Sequence, residues 1–216
     1  MADESCSSDR PIRVAVIGAG HMGRHHARIY AELASAELAA VIDRDIDRAR
    51  SLADEYGGRA ACGLDEQILS TIDAASITVP TCAHKQVASM LISRRIPVLI
   101  EKPLAASLAE ADEILSLARR NNCLVQVGHT ERFNPVVRAM ARMNVRPKFI
   151  EAHRISPFTF RSADIGVVLD MMIHDLDIIL HLVRDEVRRV DAVGINVLGP
   201  HEDIANARIV FAHGCV

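Results

Sequence analysis

Four residues that can hold or move a proton, Asp170, His174, Asp177 and His181, stand in a mainly apolar run, DMMIHDLDIILH. A helix turns about 100° per residue, which brings all four within roughly 60° of one another. Leu169, Met172, Ile173, Leu176, Ile179 and Val183 take most of the remaining circumference. The helix is therefore expected to be largely buried, with one narrow ionisable stripe. Buried charge is costly unless it is paired or used. His174 suits a general base, because an unperturbed imidazole titrates near neutral pH. Asp170, one turn earlier, would orient and polarise that imidazole. Other readings of the same spacing stay open. Asp170 and His174 could form a satisfied buried ion pair, or ligate a metal with Asp177 or His181. Asp177 and His181 could equally be solvated. No metal site is favoured.

A second group of residues suits a dinucleotide. Gly18-Ala19-Gly20-His21-Met22-Gly23 reads G-x-G-x-x-G. The motif is weak alone, but here it lies between an expected strand and an expected helix. Gly18 would permit the tight turn, Gly20 the approach of a pyrophosphate, and Gly23 close helix–strand packing. The pyrophosphate would rest on the N–H groups of the helix start, at His21 and Met22. Asp43 follows the next strand, where an acid bonds the ribose 2′-hydroxyl and repels a 2′-phosphate. NAD is thus favoured over NADP, with Arg44 keeping NADP open. The alternative is a turn-glycine cluster beside a surface acid. His21, His25 and His26 are otherwise expected to be exposed.

These residues require a scaffold, and the chain has its pattern. Strands are expected at Ile12–Ile17, Leu38–Ile42, Ala74–Val79, Pro97–Ile100 and Leu124–Val127. Helices are expected at Met22–Leu33, Asp45–Tyr56, Ala83–Arg94 and from the capping box at Ser107–Glu110 to about Arg120. This alternation implies a parallel sheet covered on both faces, a Rossmann-type α/β domain over 11–127. From 128 to 216 the order changes. Asn134-Pro135 opens a helix. A strand is expected near Lys148–Ser156, an irregular stretch near Pro157–Gly166, then the helix of the opening run, and strands at Arg188–Leu198 and Asp203–Phe211. That is an α+β domain with an open, mainly antiparallel sheet. A sheet stopping near Val216 would leave an edge open, so a longer chain or a partner is expected to complete it.

Two further stretches lie at the carboxyl ends of expected strands: Thr78-Val79-Pro80-Thr81-Cys82-Ala83-His84 and Glu101-Lys102-Pro103. With the glycine loop and the Asp170–His174 pair, they resemble the glucose–fructose oxidoreductase/inositol dehydrogenase/MocA family. The resemblance covers nearly the whole chain from Ile12. It implies a second domain larger than the one here, through which members commonly associate, and so a homo-oligomer through the C-terminal sheet. It implies that the ionisable stripe faces a cleft holding cofactor and substrate, with Thr78, Pro80, His84, Glu101 and Lys102 near the cofactor. His84 could instead cap the next helix. Lys102, alone an ordinary surface lysine, would hold the reacting hydroxyl or stabilise a developing alkoxide. Gly128–Pro135 and Asp170–Asp177 resemble the branch acting on nucleotide sugars. The implied reaction is oxidation of UDP-N-acetylglucosamine at C3, used by some bacteria in lipid A biosynthesis. A UDP-sugar brings two phosphates, for which Arg132, Arg154 and Arg161 are candidates. Asn134 is a polar contact or simply an N-cap, and each arginine could also be a solvated surface residue. Another sugar, an inositol or a UDP-uronic acid remains a rival substrate. A binding-only regulatory protein is a rival from another class.

Composition excludes several alternatives. The 216 residues carry a net charge of −3, with no basic excess for nucleic acid, and only 3% are aromatic. No apolar run approaches the ~20 residues that span a bilayer. MADESCSSDR lacks the apolar core of a secretory signal. Cys6, Cys62, Cys82, Cys123 and Cys215 are scattered and odd in number, as expected of reduced thiols in a cytoplasmic protein.

Overall fold

The computed structural model describes residues 10–143, 145–157 and 165–216. They divide into two compact units that meet in the chain between Gly128 and His129. The first is built on six parallel strands: β1 (Ile12–Ile17), β2 (Ala36–Ile42), β3 (Arg59–Ala61), β4 (Ala74–Ile77), β5 (Val98–Ile100) and β6 (Val125–Val127). Their spatial order is β3-β2-β1-β4-β5-β6, the dinucleotide-binding order, which reverses direction beside β1. Five helices cross between strands: α1 (His21–Glu32), α2 (Ile46–Tyr56), α3 (Glu66–Leu69), α4 (Thr81–Ile92) and α5 (Leu108–Asn121).

Alternation along the strands makes two cores. Ala15 and Ile17 of β1, with Ala40 and Ile42 of β2, face one cluster that includes Ile77, Leu91, Ile100 and Ile114. Val16 and Val41 face the other, with Ala27 of α1 and Leu52 of α2. The helix ends follow from local chemistry. Asp45 accepts from the Asp47 and Arg48 N–H groups to start α2, and Gly57 ends it at φ +91. Ser107 accepts from the Glu110 N–H, while the Glu110 carboxylate accepts from the Ala106 N–H. β3 and α3 are too short for a periodic pattern and were not expected.

The second unit holds α6 (Pro135–Arg142), α7 (Ile173–Val183) and an antiparallel pair, β7 (Val187–Ile195) with β8 (Ile204–Phe211). Asn134 caps α6 by accepting from the Val136 N–H. Two expectations fail here. Lys148–Ser156 forms no strand. Among the described residues its backbone pairs across the chain where the Ile150 N–H donates to Val216 O and the Val216 N–H donates to Lys148 O, too few bonds for a ladder. Nor is the opening helix a uniform, buried α-helix. Val168–Met172 is a wider π turn, so Asp170 leaves its place on the α-helical wheel. Along α7 only Asp177 is fully buried, at 7% exposure, and Leu180 is open to solvent. A two-stranded sheet has too little area to cover a helix that is apolar most of the way round.

Candidate functional site

In the first unit the residues gather at the carboxyl edge of the sheet. Gly18 turns at φ +104, and a Cβ there would stand 2.7 Å from the Thr78 carbonyl. A Cβ on Gly23 would run into Gly18 O. Gly20 differs: a Cβ there meets nothing within 4 Å, so backbone faces open space. Gly20 is also the N-cap of α1 and supplies no side-chain cap, leaving the first N–H groups, from His21 and Met22 onward, available to an anion. This open, uncapped turn fits a dinucleotide pyrophosphate. Asp43, just past β2, accepts from the Ala19 N–H (2.7 Å) and the Asp45 N–H (2.9 Å). Its carboxylate thus holds the glycine loop and retains lone pairs for a further donor. Arg44 beside it is exposed.

The Thr78 hydroxyl donates toward Gly18 O (2.7 Å), supporting the loop from below. Pro80 is the exposed residue before α4. His84 is 1% exposed. Its Nδ1 lies 2.9 Å from Pro103 O and its Nε2 3.0 Å from Val79 O. The ring is therefore a bridge between two loops, and it neither caps α4 nor presents a face to ligand. Glu101, placed near the cofactor by resemblance, is likewise turned inward: it is 7% exposed, and its Oε1 lies 2.9 Å from His26 Nε2. His26 was expected to be exposed and is not. Its Nδ1 lies 3.0 Å from Ser76 Oγ, which in turn lies 2.7 Å from the Tyr30 hydroxyl. No local signal separates His26 from exposed His25, since its partners come from β4 and from the residue that follows β5. Lys102 is half-buried between Glu101 and Pro103.

In the second unit, Asp170 sits in the π turn, with its N–H donating to Gly166 O at 3.0 Å, and His174 follows at the start of α7. Arg132 binds Asp177 with two hydrogen bonds of 2.7 and 2.6 Å. Burial pushes the Asp177 carboxyl up, but the Arg132 bonds and the nearby His129 outweigh it, and the net direction is down. Two of Arg132's guanidinium nitrogens are thus committed to a carboxylate, and Asn134 is engaged as an N-cap. Arg154 pairs with Asp175 at 3.0 and 2.8 Å. Both line a hollow of about 930 Å³ that Asp170 and Met171 also border. Arg161 lies outside the described residues. Among the described residues no group of three His, Cys, Asp or Glu side chains is placed to hold a metal ion. No described helix is long and apolar enough to cross a membrane. Cys62, Cys82, Cys123 and Cys215 are free thiols.

Comparison with known proteins agrees with this geometry. The profile of an oxidoreductase family with an NAD-binding Rossmann fold matches residues 12–129. A UDP-N-acetylglucosamine 3-dehydrogenase of Acidithiobacillus ferrooxidans is 37% identical over 206 residues, covering 95% of this chain and 65% of that protein. Its solved structure superposes with a TM-score of 0.86 over 94% of this chain and 64% of its own. Inositol 2-dehydrogenase 4 of Saccharopolyspora erythraea is 33% identical, covering 85% of this chain and 57% of its own. The structure of GenD2 from gentamicin A biosynthesis, in complex with NAD, shares the fold at a TM-score of 0.84 and 24% identity. The chain thus spans about two thirds or less of the relatives it matches. By the profile match over more than half its length, it belongs to the glucose–fructose oxidoreductase/inositol dehydrogenase/MocA family of NAD-binding oxidoreductases.

Proposed function

We propose that this chain carries the machinery of a cytoplasmic, NAD-dependent dehydrogenase that oxidises the C3 hydroxyl of UDP-N-acetylglucosamine. The observation carrying the substrate choice is the 37% identity over 206 residues to an enzyme of that name. The chemistry is supported by three groups: Lys102 beside buried Glu101, and Asp170 with His174 where the π turn meets α7. NAD, when bound at the Gly20 turn, supplies the hydride acceptor. His174 takes the hydroxyl proton, and Asp170 orients its ring. Lys102 stabilises the negative charge developing on the oxygen. Asp43 reads the ribose hydroxyls and so favours NAD over NADP. Arg154, which borders the hollow while paired with Asp175, is kept as a ligand for the diphosphate, with Arg161 as a further candidate. Two copies associate through the β7–β8 sheet. The 33% identity to an inositol dehydrogenase supports one second reading, oxidation of a cyclitol at the same residues.

Substitution of Lys102 tests the assignment. Lys102→Met is expected to lower hydride transfer by at least about 10²-fold. NADH binding, read by fluorescence titration, should change by less than about threefold. Equal loss of binding and turnover would remove Lys102 from the chemistry.

A further inference from the structure

Lys102 is flanked in the chain by two residues that histidines hold, His26 partly buried and His84 fully buried. On one side, His26 Nε2 lies 2.9 Å from Glu101 Oε1, and Glu101 Oε2 accepts from the Lys102 N–H at 3.3 Å. On the other, His84 Nδ1 lies 2.9 Å from Pro103 O. Neither histidine is at a surface where it could serve a ligand, and α1 and α4 would fold with an apolar residue in either place. Withdrawing a polar ring from water at both places demands another reason.

The first network assigns its protons without conflict. The Tyr30 hydroxyl donates to Ser76 Oγ, Ser76 donates to His26 Nδ1, and His26 Nε2–H donates to the Glu101 carboxylate. Ser76 is fully buried. The chain of bonds therefore ties α1 and β4 to the first residue of the strap at the end of β5. Gly128 closes the arrangement from β6, since a Cβ there would stand 2.9 Å from Glu101 Oε1. In the second, both partners of His84 are carbonyl acceptors: the Nδ1–H tautomer donates to Pro103 O at 2.9 Å, at the far end of the Glu101–Pro103 strap, and leaves Nε2 3.0 Å from Val79 O, beyond β4.

We propose that His26 and His84 are positioning residues that fix where the Lys102 ammonium stands, His26 through Glu101 and His84 through Pro103. The proposal rests on Lys102 being the acting cation. A displacement of about 1 Å is enough to lower turnover by about 10²-fold without removing any reacting group.

The test reads Lys102 in two ways on the full chain. Acylation by N-acetoxysuccinimide, followed by peptide mass, reports its amine directly, with Lys85 and Lys148 as internal controls. Steady-state kinetics report kcat and KM for NAD. His26→Ala is expected to raise Lys102 acylation several-fold against both controls. It should lower kcat by about 10²-fold with KM for NAD changed by less than about threefold. His26→Gln, whose amide N–H reaches Glu101, is expected to restore most of both. Gly128→Ala, which displaces the carboxylate and leaves the histidine intact, should reproduce the defect, and His84→Ala should give it from the other side. If His26→Ala does not fold, the Gln and Gly128→Ala variants decide. Unchanged acylation and unchanged kcat in folded variants would overturn the proposal and reduce the histidines to a role in stability. If the wild-type chain turns over neither UDP-N-acetylglucosamine nor myo-inositol, the functional reading fails on that observation, while the acylation rates still judge the positioning.

Discussion

The Asp43 carboxylate serves two partners of its own chain, the N–H groups of Ala19 and Asp45, before any ribose reaches it. Its substitution should therefore be felt twice. Asp43→Ala is expected to weaken NAD binding by roughly 10- to 100-fold, the worth of one or two charge-assisted hydrogen bonds. NADP binding should weaken less, since the variant also removes repulsion of the 2′-phosphate. Titration of NADH and NADPH fluorescence checks both, and equal losses would mean that Asp43 holds the loop without reading the ribose. At this scale the sequence was legible wherever a residue's role depends on its neighbours in the chain. Gly18, Gly20 and Gly23 could be read from their spacing between an expected strand and helix, and the N-caps Ser107 and Asn134 from the residues that follow them. His26, His84 and Glu101 could not, because the strands that bury them are separated from one another by tens of residues in the chain. The resemblance implies that Glu101 lies near the cofactor, and its carboxylate is buried against His26.

Elements in the second unit are held by charge more than by apolar cover. The Arg132–Asp177 pair fastens the 3₁₀ turn Thr130–Phe133 to α7, and its carboxylate is the residue of α7 that is fully buried. Its folded pKa is lowered, so its stabilisation is complete above the unfolded value of about 4 and is lost as pH falls through the folded one. Asp177→Asn should cost about 1–3 kcal/mol near neutral pH. The gap in melting temperature between wild type and variant should then close as pH falls below about 4. Taking the difference cancels other acid-sensitive groups, such as Asp73 held by Arg10 and Arg13. A gap that does not change with pH would show that the pair adds no net stability. Strong helices and buried strands were readable from periodicity to within a few residues. The π turn through Asp170 was not, since i+4 spacing looks the same in sequence whether or not the turn widens. The strand expected at Lys148–Ser156 also failed, because extended propensity makes no ladder without a neighbour, and among the described residues Val216 alone meets its backbone across the chain.

For the molecule as a whole, six parallel strands form a sheet covered by helices on both faces, whereas β7 and β8 form a pair whose outer face is open. That face presents Val193 (67% exposed), Ile195 (53%) and Ile204 (57%), the last two directly paired. A patch of this kind suits a second copy. Val193→Asp with Ile204→Asp is expected to convert a dimer to monomer by light scattering, and a monomeric wild type would refute the association. The fold class of the first unit was legible because alternation of strand and helix runs through all of it, from β1 to β6. What the second sheet packs against was not, since open apolar faces look alike whatever covers them. The central claim is that hydride leaves C3 of a nucleotide sugar, and isotope transfer addresses it most directly. The chain would be incubated with NAD and UDP-N-acetylglucosamine carrying deuterium at C3, with a carbonyl trap to draw the oxidation forward. Deuterium appearing in the reduced nicotinamide, with a keto sugar lacking it, is the predicted result. Reduced nicotinamide without deuterium would place the oxidation at another carbon, and clear NADH binding with no reduction at all would contradict the claim outright.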